Sequence, residues 1–212
     1  MVNDTESLAR THSPYFGSNV KIKFAGNMLA FVPQNIIATH PKFSLFLEGL
    51  EYSKLQGHDF SDVSKRVGHI ILHYLYSGQY QALPMVQDTP EKTHREEFSE
   101  AVNVYLEACQ MGLDGLSKLA SAEIERQGQY MTIADIITII DKDFYAHALQ
   151  VEWLTLYLLR RASMKFEDVQ QEDIKKVHEQ PLTSRNLLSI LLEANMELKK
   201  ELQDAKKRSK GK

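Results

Sequence analysis

The patterned part of the chain begins with Val20-Lys21-Ile22-Lys23-Phe24, where apolar residues alternate with lysine at the two-residue period of a half-buried strand. Ala25-Gly26-Asn27 is turn chemistry, because Gly and Asn tolerate positive φ. The apolar run 28–32 then returns antiparallel, and the two runs predict a hairpin. Pro33 suits the first turn of a helix, where its missing N–H costs nothing, and a short helix is expected over 34–38. Pro41 opens the next, over 42–50. There Phe43, Phe46, Leu47 and Leu50 recur at i, i+3, i+4 and i+7 and predict one buried face. One short strand is expected within 56–60. Ser61-Asp62 offers an N-cap for a helix running to Tyr76, and Ser77-Gly78 offers its end.

Beyond that point the pattern is helical. The polar stretch 83–94, with two prolines, reads as a loop. A helix over 96–111 places Val102, Tyr105, Leu106 and Cys109 on one face, with Gly112 as its stop. A second covers 114–126, and Gly128 marks a boundary. Four more are expected over 132–140, 147–164, 171–178 and from 183 to about 207. Residues 1–18 are polar and read as a mobile extension. The expected organisation is therefore 1–18 extension, 19–126 first domain, 127–198 helical region and 199–212 basic tail. The fold class is α+β: a small sheet of three to five strands packed with helices, followed by an all-α region.

Composition narrows the chemistry. With 212 residues and 43% hydrophobic residues the chain can bury a core. A single cysteine, Cys109, excludes an intramolecular disulfide framework and a cysteine-based zinc site, and suits the cytosol or nucleus. No apolar run reaches the ~18 residues of a membrane span, and residues 1–10 hold no signal-peptide core. The net charge of −3 hides an asymmetry. Residues 199–212 hold six Lys, one Arg and two acidic residues, a net of +5, so the rest of the chain carries −8. Only the tail is a plausible phosphate binder.

The run Tyr74-Leu75-Tyr76-Ser77-Gly78-Gln79-Tyr80 reads as a helix end, a glycine stop and a following strand, with aromatic side chains packing inward. With His40-Pro41-Lys42-Phe43, Phe46 and Val104-Tyr105-Leu106-Glu107-Ala108, it resembles the BTB/POZ domain, a protein-interaction fold, over residues 19–126. The resemblance extends to fungal-type members with a helical C-terminal extension. It implies self-association or binding of a scaffold such as a cullin, as in a ubiquitin ligase adaptor. Three positions depart from the family's pattern. Asn19 stands where the family has an Asp that contributes to a charged dimer pocket. Pro33-Gln34 stands where many members have His-Lys. Leu50-Glu51-Tyr52 places Tyr where the cullin motif has Glu, and Phe46-Leu47-Glu48 carries the motif's letters one turn early. The resemblance makes Asn19, Ile36 and Ile37 candidates for self-association. Phe46, Leu50 and Tyr52 become candidates for a scaffold partner.

No catalytic constellation stands out. His69 and His73 share a helix face at i, i+4, but two imidazoles are an incomplete metal site, and a structural role is the simpler reading. There is no nucleophile elbow, dinucleotide fingerprint or phosphate loop. Asp141 and Asp143 fall at an expected helix end, as capping or solvated charges. Cys109 reads as a small core residue. Trp153, with Leu154, Leu156, Tyr157, Leu158 and Leu159, reads as core of the helical region, with a partner groove as the alternative.

The last helix carries Leu188, Leu191, Asn195, Leu198 and Leu202 at 3-4-3-4 spacing, an a/d seam with Asn at an a position, Glu201 at g and Lys206 at e. Packing on its own domain is the competing reading. Lys206, Lys207, Arg208 and Lys210 form the basic tail, either an import or phosphate-binding signal or a solvated end.

The expected function is a non-enzymatic interaction module or adaptor, without cofactor or metal, in the cytoplasm or nucleus. Its partners would be proteins, with no membrane and only weak nucleic-acid contact through the tail. The alternative is a nuclear or chromatin-associated regulator that uses the tail.

Overall fold

The computed structural model describes residues 17–53, 57–85, 89–148, 152–163 and 187–210. The fold is α+β, a three-stranded sheet with helices followed by a helical C-terminal region. The chain divides into two compact units that interleave in sequence: Met1–Pro84 with Glu107–Ala120, and Met85–Leu106 with Ser121–Lys212. This differs from the expected cuts near 126 and 198. Both connecting helices, α4 (Pro90–Gln110) and α5 (Asp114–Gly128), contribute residues to both units. Residues 1–16 of the expected 1–18 extension and the expected helix over 171–178 lie outside the described residues.

In the first unit, β1 (Asn19–Phe24) and β2 (Met28–Pro33) form the expected hairpin. Its turn holds Gly26 and Asn27 at φ 72° and 59°. The antiparallel register pairs Ile22 with Ala30 and Lys21 with Phe31. β3 (His58–Phe60) joins the other edge of β1 in parallel, Ile22 opposite His58, giving the order β2-β1-β3. Alternation decides the faces. Ile22, Phe24 and Val32 are buried, whereas Leu29 and Phe31 stand in water.

α1 (Gln34–Ala38) and α2 (Pro41–Glu48) follow the hairpin. An aromatic ladder ties α2 to the sheet: Phe24 stacks on Phe60, Phe60 on Phe46 and Phe46 on Phe43, at 6.1, 6.1 and 6.4 Å. Within the predicted face of α2, Phe43 and Leu47 are buried and Phe46 and Leu50 half-buried.

α3 (Lys65–Ser77) begins later than Ser61-Asp62 suggested. Ser61 instead donates its N–H to Asp59 Oδ1 at 2.9 Å, and Val63 donates to the Phe60 carbonyl at 3.0 Å. The turn so closed buries Val63, and Ser64 becomes the cap, accepting from the Val67 N–H. Gly78 ends the helix in the left-handed conformation, φ 69°. Leu75 is the inward residue of its last turn. Tyr76 is exposed, not packed inward as expected, and donates its hydroxyl to the Phe31 carbonyl at 3.4 Å.

In the second unit, α4 starts at Pro90, six residues before the predicted start. Pro90 occupies the first turn, and the Thr89 hydroxyl accepts from the Lys92 N–H at 3.3 Å, so part of the expected loop is helical. The buried arc of α4 follows Phe98, Ala101, Tyr105 and Ala108. Cys109 falls at its edge and is exposed, correcting the core reading. α6 (Ile133–Ala148) is capped by Thr132, which accepts from the Asp135 N–H at 3.2 Å. It runs through positions 141 and 143, which are therefore inside a helix and not at its end. The helix buries Ile136, Ile137, Ile139 and Ile140 and continues past the predicted stop at 140.

α7 (Glu152–Ser163) buries Leu154, Tyr157 and Leu158 but exposes Leu156 and Leu159. Trp153 is half-buried and stacked between Tyr105 and Tyr157 at 5.0 and 5.5 Å. Within the same unit, Gln127 is fully buried. Its amide donates to Glu97 and to Glu123, and its carbonyl accepts from His94 Nδ1 at 2.8 Å. Burial raises the Glu123 pKa, but hydrogen bonds from Arg126 and Gln127 outweigh it and hold the carboxyl below its ordinary value. α8 (Leu187–Lys210) closes the chain, so the expected basic tail is the end of a helix.

Candidate functional site

A groove of about 280 Å³ opens on the first unit between β1, α1, α2 and the segment before β3. Val20, Ile37, Leu47 and Leu50 supply its apolar surface. Gln34, Ser44, Glu48, Tyr52 and His58 supply polar groups. Three sequence-predicted residues, Ile37, Leu50 and Tyr52, are thus brought together.

The local fold explains how. Ser53 and Gly57 exchange backbone hydrogen bonds at 3.2 and 2.6 Å across a small loop, which sets Tyr52 edge-on against His58 with ring centroids 5.0 Å apart. Gly57 has φ 77°, and a Cβ there would lie 2.1 Å from the Lys21 carbonyl oxygen. Only glycine lets the backbone at position 57 lie this close to β1.

His58 follows directly. It is 8% exposed and occupies the same strand face as Phe60. Among the described residues its Nδ1 has no hydrogen-bond partner. Burial lowers its pKa, so the imidazole is neutral at neutral pH. Nδ1 itself is fully enclosed, and whether it accepts or donates depends on the tautomer. Glu48 is the only formally charged group among the lining residues.

The direction of this shift fixes a pH dependence. Above the unfolded value of about 6.5, His58 is neutral in both states and contributes nothing to pH dependence. As pH falls below that value the unfolded chain takes up the proton first. Stability is then lost until the folded imidazole titrates as well. Urea midpoints measured between about pH 7 and about pH 5 are expected to fall more steeply for the wild type than for His58→Leu.

A second cavity in the first unit, about 380 Å³, is lined by His40, Lys42, Tyr74 and Asp114. Lys42 pairs with Asp114 at 2.6 Å, and His40 hydrogen-bonds the Leu75 carbonyl at 3.4 Å. These groups satisfy residues of the fold itself, and the cavity reads as structural.

The remaining predicted residues lie elsewhere, Ile37 alone of its pair reaching the groove. Asn19 is exposed at the start of β1, opposite Pro33. Ile36 and Ile37 are 5% and 3% exposed. Ile36 packs into the core of its own unit, and the little of Ile37 that is accessible lines the groove. Phe46 belongs to the aromatic ladder. On α8, Asn195, Leu198 and Leu202 are exposed, as are Lys206, Lys207 and Arg208. The side chains of Leu188, Leu191 and Lys210 lie outside the described residues. His69 and His73 stack at 6.2 Å. No group of three or more metal-ligating side chains occurs among the described residues. Nor is any helix among them long and apolar enough to cross a membrane.

Sequence reasoning missed His58. The signal was present: in the strand His58-Asp59-Phe60, a period of two places His58 on the buried face with Phe60.

Comparison with known proteins overturns the BTB/POZ resemblance. Residues 32–131 match the family model of the HAC6 N-terminal domain, and no BTB/POZ family is found. The cullin surface and the charged dimer pocket, which only that resemblance implied, lose their basis. A helix end with a glycine stop and an aromatic helix after a hairpin are too general a pattern to identify that family. Two curated proteins of Aspergillus fumigatus strains, both subtelomeric hrmA-associated cluster proteins, are each 30% identical over 107 residues. That match covers 50% of this chain and 27% of each relative, so the chain spans about a quarter of their length. No solved structure matches the chain. By sequence, then, residues 32–131 are similar to the HAC6 N-terminal domain, and half of the chain is similar to the fungal subtelomeric cluster proteins.

Proposed function

We propose that the chain is a non-enzymatic protein-interaction module. Its first unit receives a partner segment in the groove beside His58, an apolar side chain resting on Leu47 and Leu50. The observation that carries this reading is the groove itself, where Val20, Ile37, Leu47 and Leu50 form a largely apolar surface rimmed by Tyr52. The groove is shallow and small for a drug-sized ligand but suits one or two side chains. Tyr52, exposed at the rim, supplies the amphipathic ring common at interface hot spots.

Selection from a random peptide display library tests it. Wild-type protein is expected to enrich peptides sharing an apolar anchor, and Leu50→Asp is expected to weaken them by at least about tenfold. Leu45→Asp, on the exposed side of α2, is expected to leave them unchanged. His58→Leu is expected to keep or raise stability by about 1 kcal/mol, because it removes a buried group left unsatisfied among the described residues. Absence of enrichment, or peptides that bind Leu50→Asp equally well, would refute the reading.

The exposed Lys206, Lys207 and Arg208 support a second reading, a chromatin-associated regulator. Removing residues 204–212 abolishes low-salt binding to duplex DNA under that reading and leaves groove binding intact under the first.

A further inference from the structure

The end of α8 turns its apolar stripe away from the body it packs on. α8 packs on α7, and Met196 is 2% exposed. At about 100° per residue, Leu198 and Leu202 lie about 160° and about 120° from Met196 around the helix. They are 60% and 62% exposed. Asn195 and Ala205 are exposed as well. Asn195, Leu198, Leu202 and Ala205 follow 3-4-3 spacing, the a-d-a-d positions of a heptad. Intramolecular packing therefore uses one face of the helix, and the a/d face stays in water.

We propose that this face is the interface between two copies of the chain, forming a short parallel two-stranded coiled coil. Three features select a second copy over another occupant. The first is Asn195 at an a position. In a dry seam its amide is satisfied by the same amide of a partner helix, in register, as in coiled coils whose single polar a residue fixes a parallel pair. The second is charge. Glu201 at g faces the e position occupied by Lys206 of the other copy, an attractive pair in the parallel register. The antiparallel arrangement pairs e with e and sets lysine against lysine. The third is self-complementarity, because each copy brings the same leucines to the seam. The seam is short, about 15 Å from Asn195 to Ala205 at the helical rise of about 1.5 Å per residue, so the dimer is weak and concentration-dependent. This inference is independent of the groove.

Sedimentation equilibrium of the full chain, over a wide micromolar range, tests it. The wild type is expected to pass from monomer to dimer. Leu198→Glu with Leu202→Glu is expected to stay monomeric with unchanged circular dichroism, since both residues are exposed. Asn195→Leu is expected to associate roughly tenfold more tightly, a gain that misfolding cannot mimic in a protein with native unfolding behaviour. In a Cys109→Ser background, Ala205→Cys is expected to form a disulfide-linked dimer under mild oxidation, because both copies bring position 205 to the seam. A wild type that remains monomeric throughout overturns the proposal. So does association indifferent to the glutamates, or a monomer that phosphatidylserine vesicles capture through the same leucines. Failure of the position-205 cross-link overturns the parallel register.

Discussion

Gly57→Ala is expected to destabilise the first unit by roughly 3 kcal/mol or more, the combined cost of a non-glycine residue at positive φ and of a backbone clash. At φ 77° an L-residue is already strained. The added Cβ would sit 2.1 Å from the Lys21 oxygen and 2.6 Å from its carbonyl carbon. Those atoms belong to the central strand and cannot swing aside as a side-chain tip can. Relief requires β3 to lift from β1, breaking the Ile22–His58 register and the Ser53–Gly57 bridge. Tyr52 and His58 would lose their mutual placement, so groove binding falls along with stability. Urea unfolding measures the first effect, and amide exchange across β1 and β3 locates it. A loss below about 1 kcal/mol would contradict the close approach described for Gly57.

Phe43→Ala is expected to cost about 3–5 kcal/mol, the range for deleting a large aromatic side chain from a packed core. Phe43 is 1% exposed and lies at the end of the stack through Phe46 and Phe60. Its removal leaves a cavity beneath α2, the helix that presents Ser44, Leu47 and Glu48 to the groove. Phe43→Leu refills part of the volume and is expected to lose less, about 1–2 kcal/mol. Denaturant midpoints of the two variants, compared with wild type, check both the size and the order. Equal losses would mean that ring stacking, not volume, holds α2 in place.

Much of the secondary structure was legible because its determinants are local. The alternation of 20–24, the Gly26-Asn27 turn and the helix stop at Gly78 depend on residues within a few positions of one another. Boundaries were misread where two local signals competed. Pro90 in a polar stretch resembles a loop, yet Thr89 beside it is a cap that starts α4. Ser61 and Ser64 are both plausible caps, and the burial of Val63 between them selects the second.

The groove was only partly legible. Leu50 and Tyr52 were singled out through a family resemblance that does not hold, yet both line it. His58 passed unnoticed because a three-residue strand gives a weak periodic signal. Ile36 and Ile37 were expected at a surface, but the helix they occupy lies against the core of its own unit.

The sequence by itself determined which segments are strands and helices, where glycine and proline interrupt them and which apolar stripes exist. It determined the a/d spacing on α8 and the concentration of positive charge at its end. Only the tertiary structure decided which stripes are covered. Ile36 and Leu198 are equally apolar residues on equally patterned helices, yet one is 5% and the other 60% exposed. The difference lies in what the rest of the chain brings against each face. The same holds for Gly57, whose necessity comes from the carbonyl of Lys21, and for His58, whose burial comes from the neighbours packed around it. Backbone conformation is governed by neighbours in sequence, whereas burial and hydrogen-bond satisfaction are governed by neighbours in space.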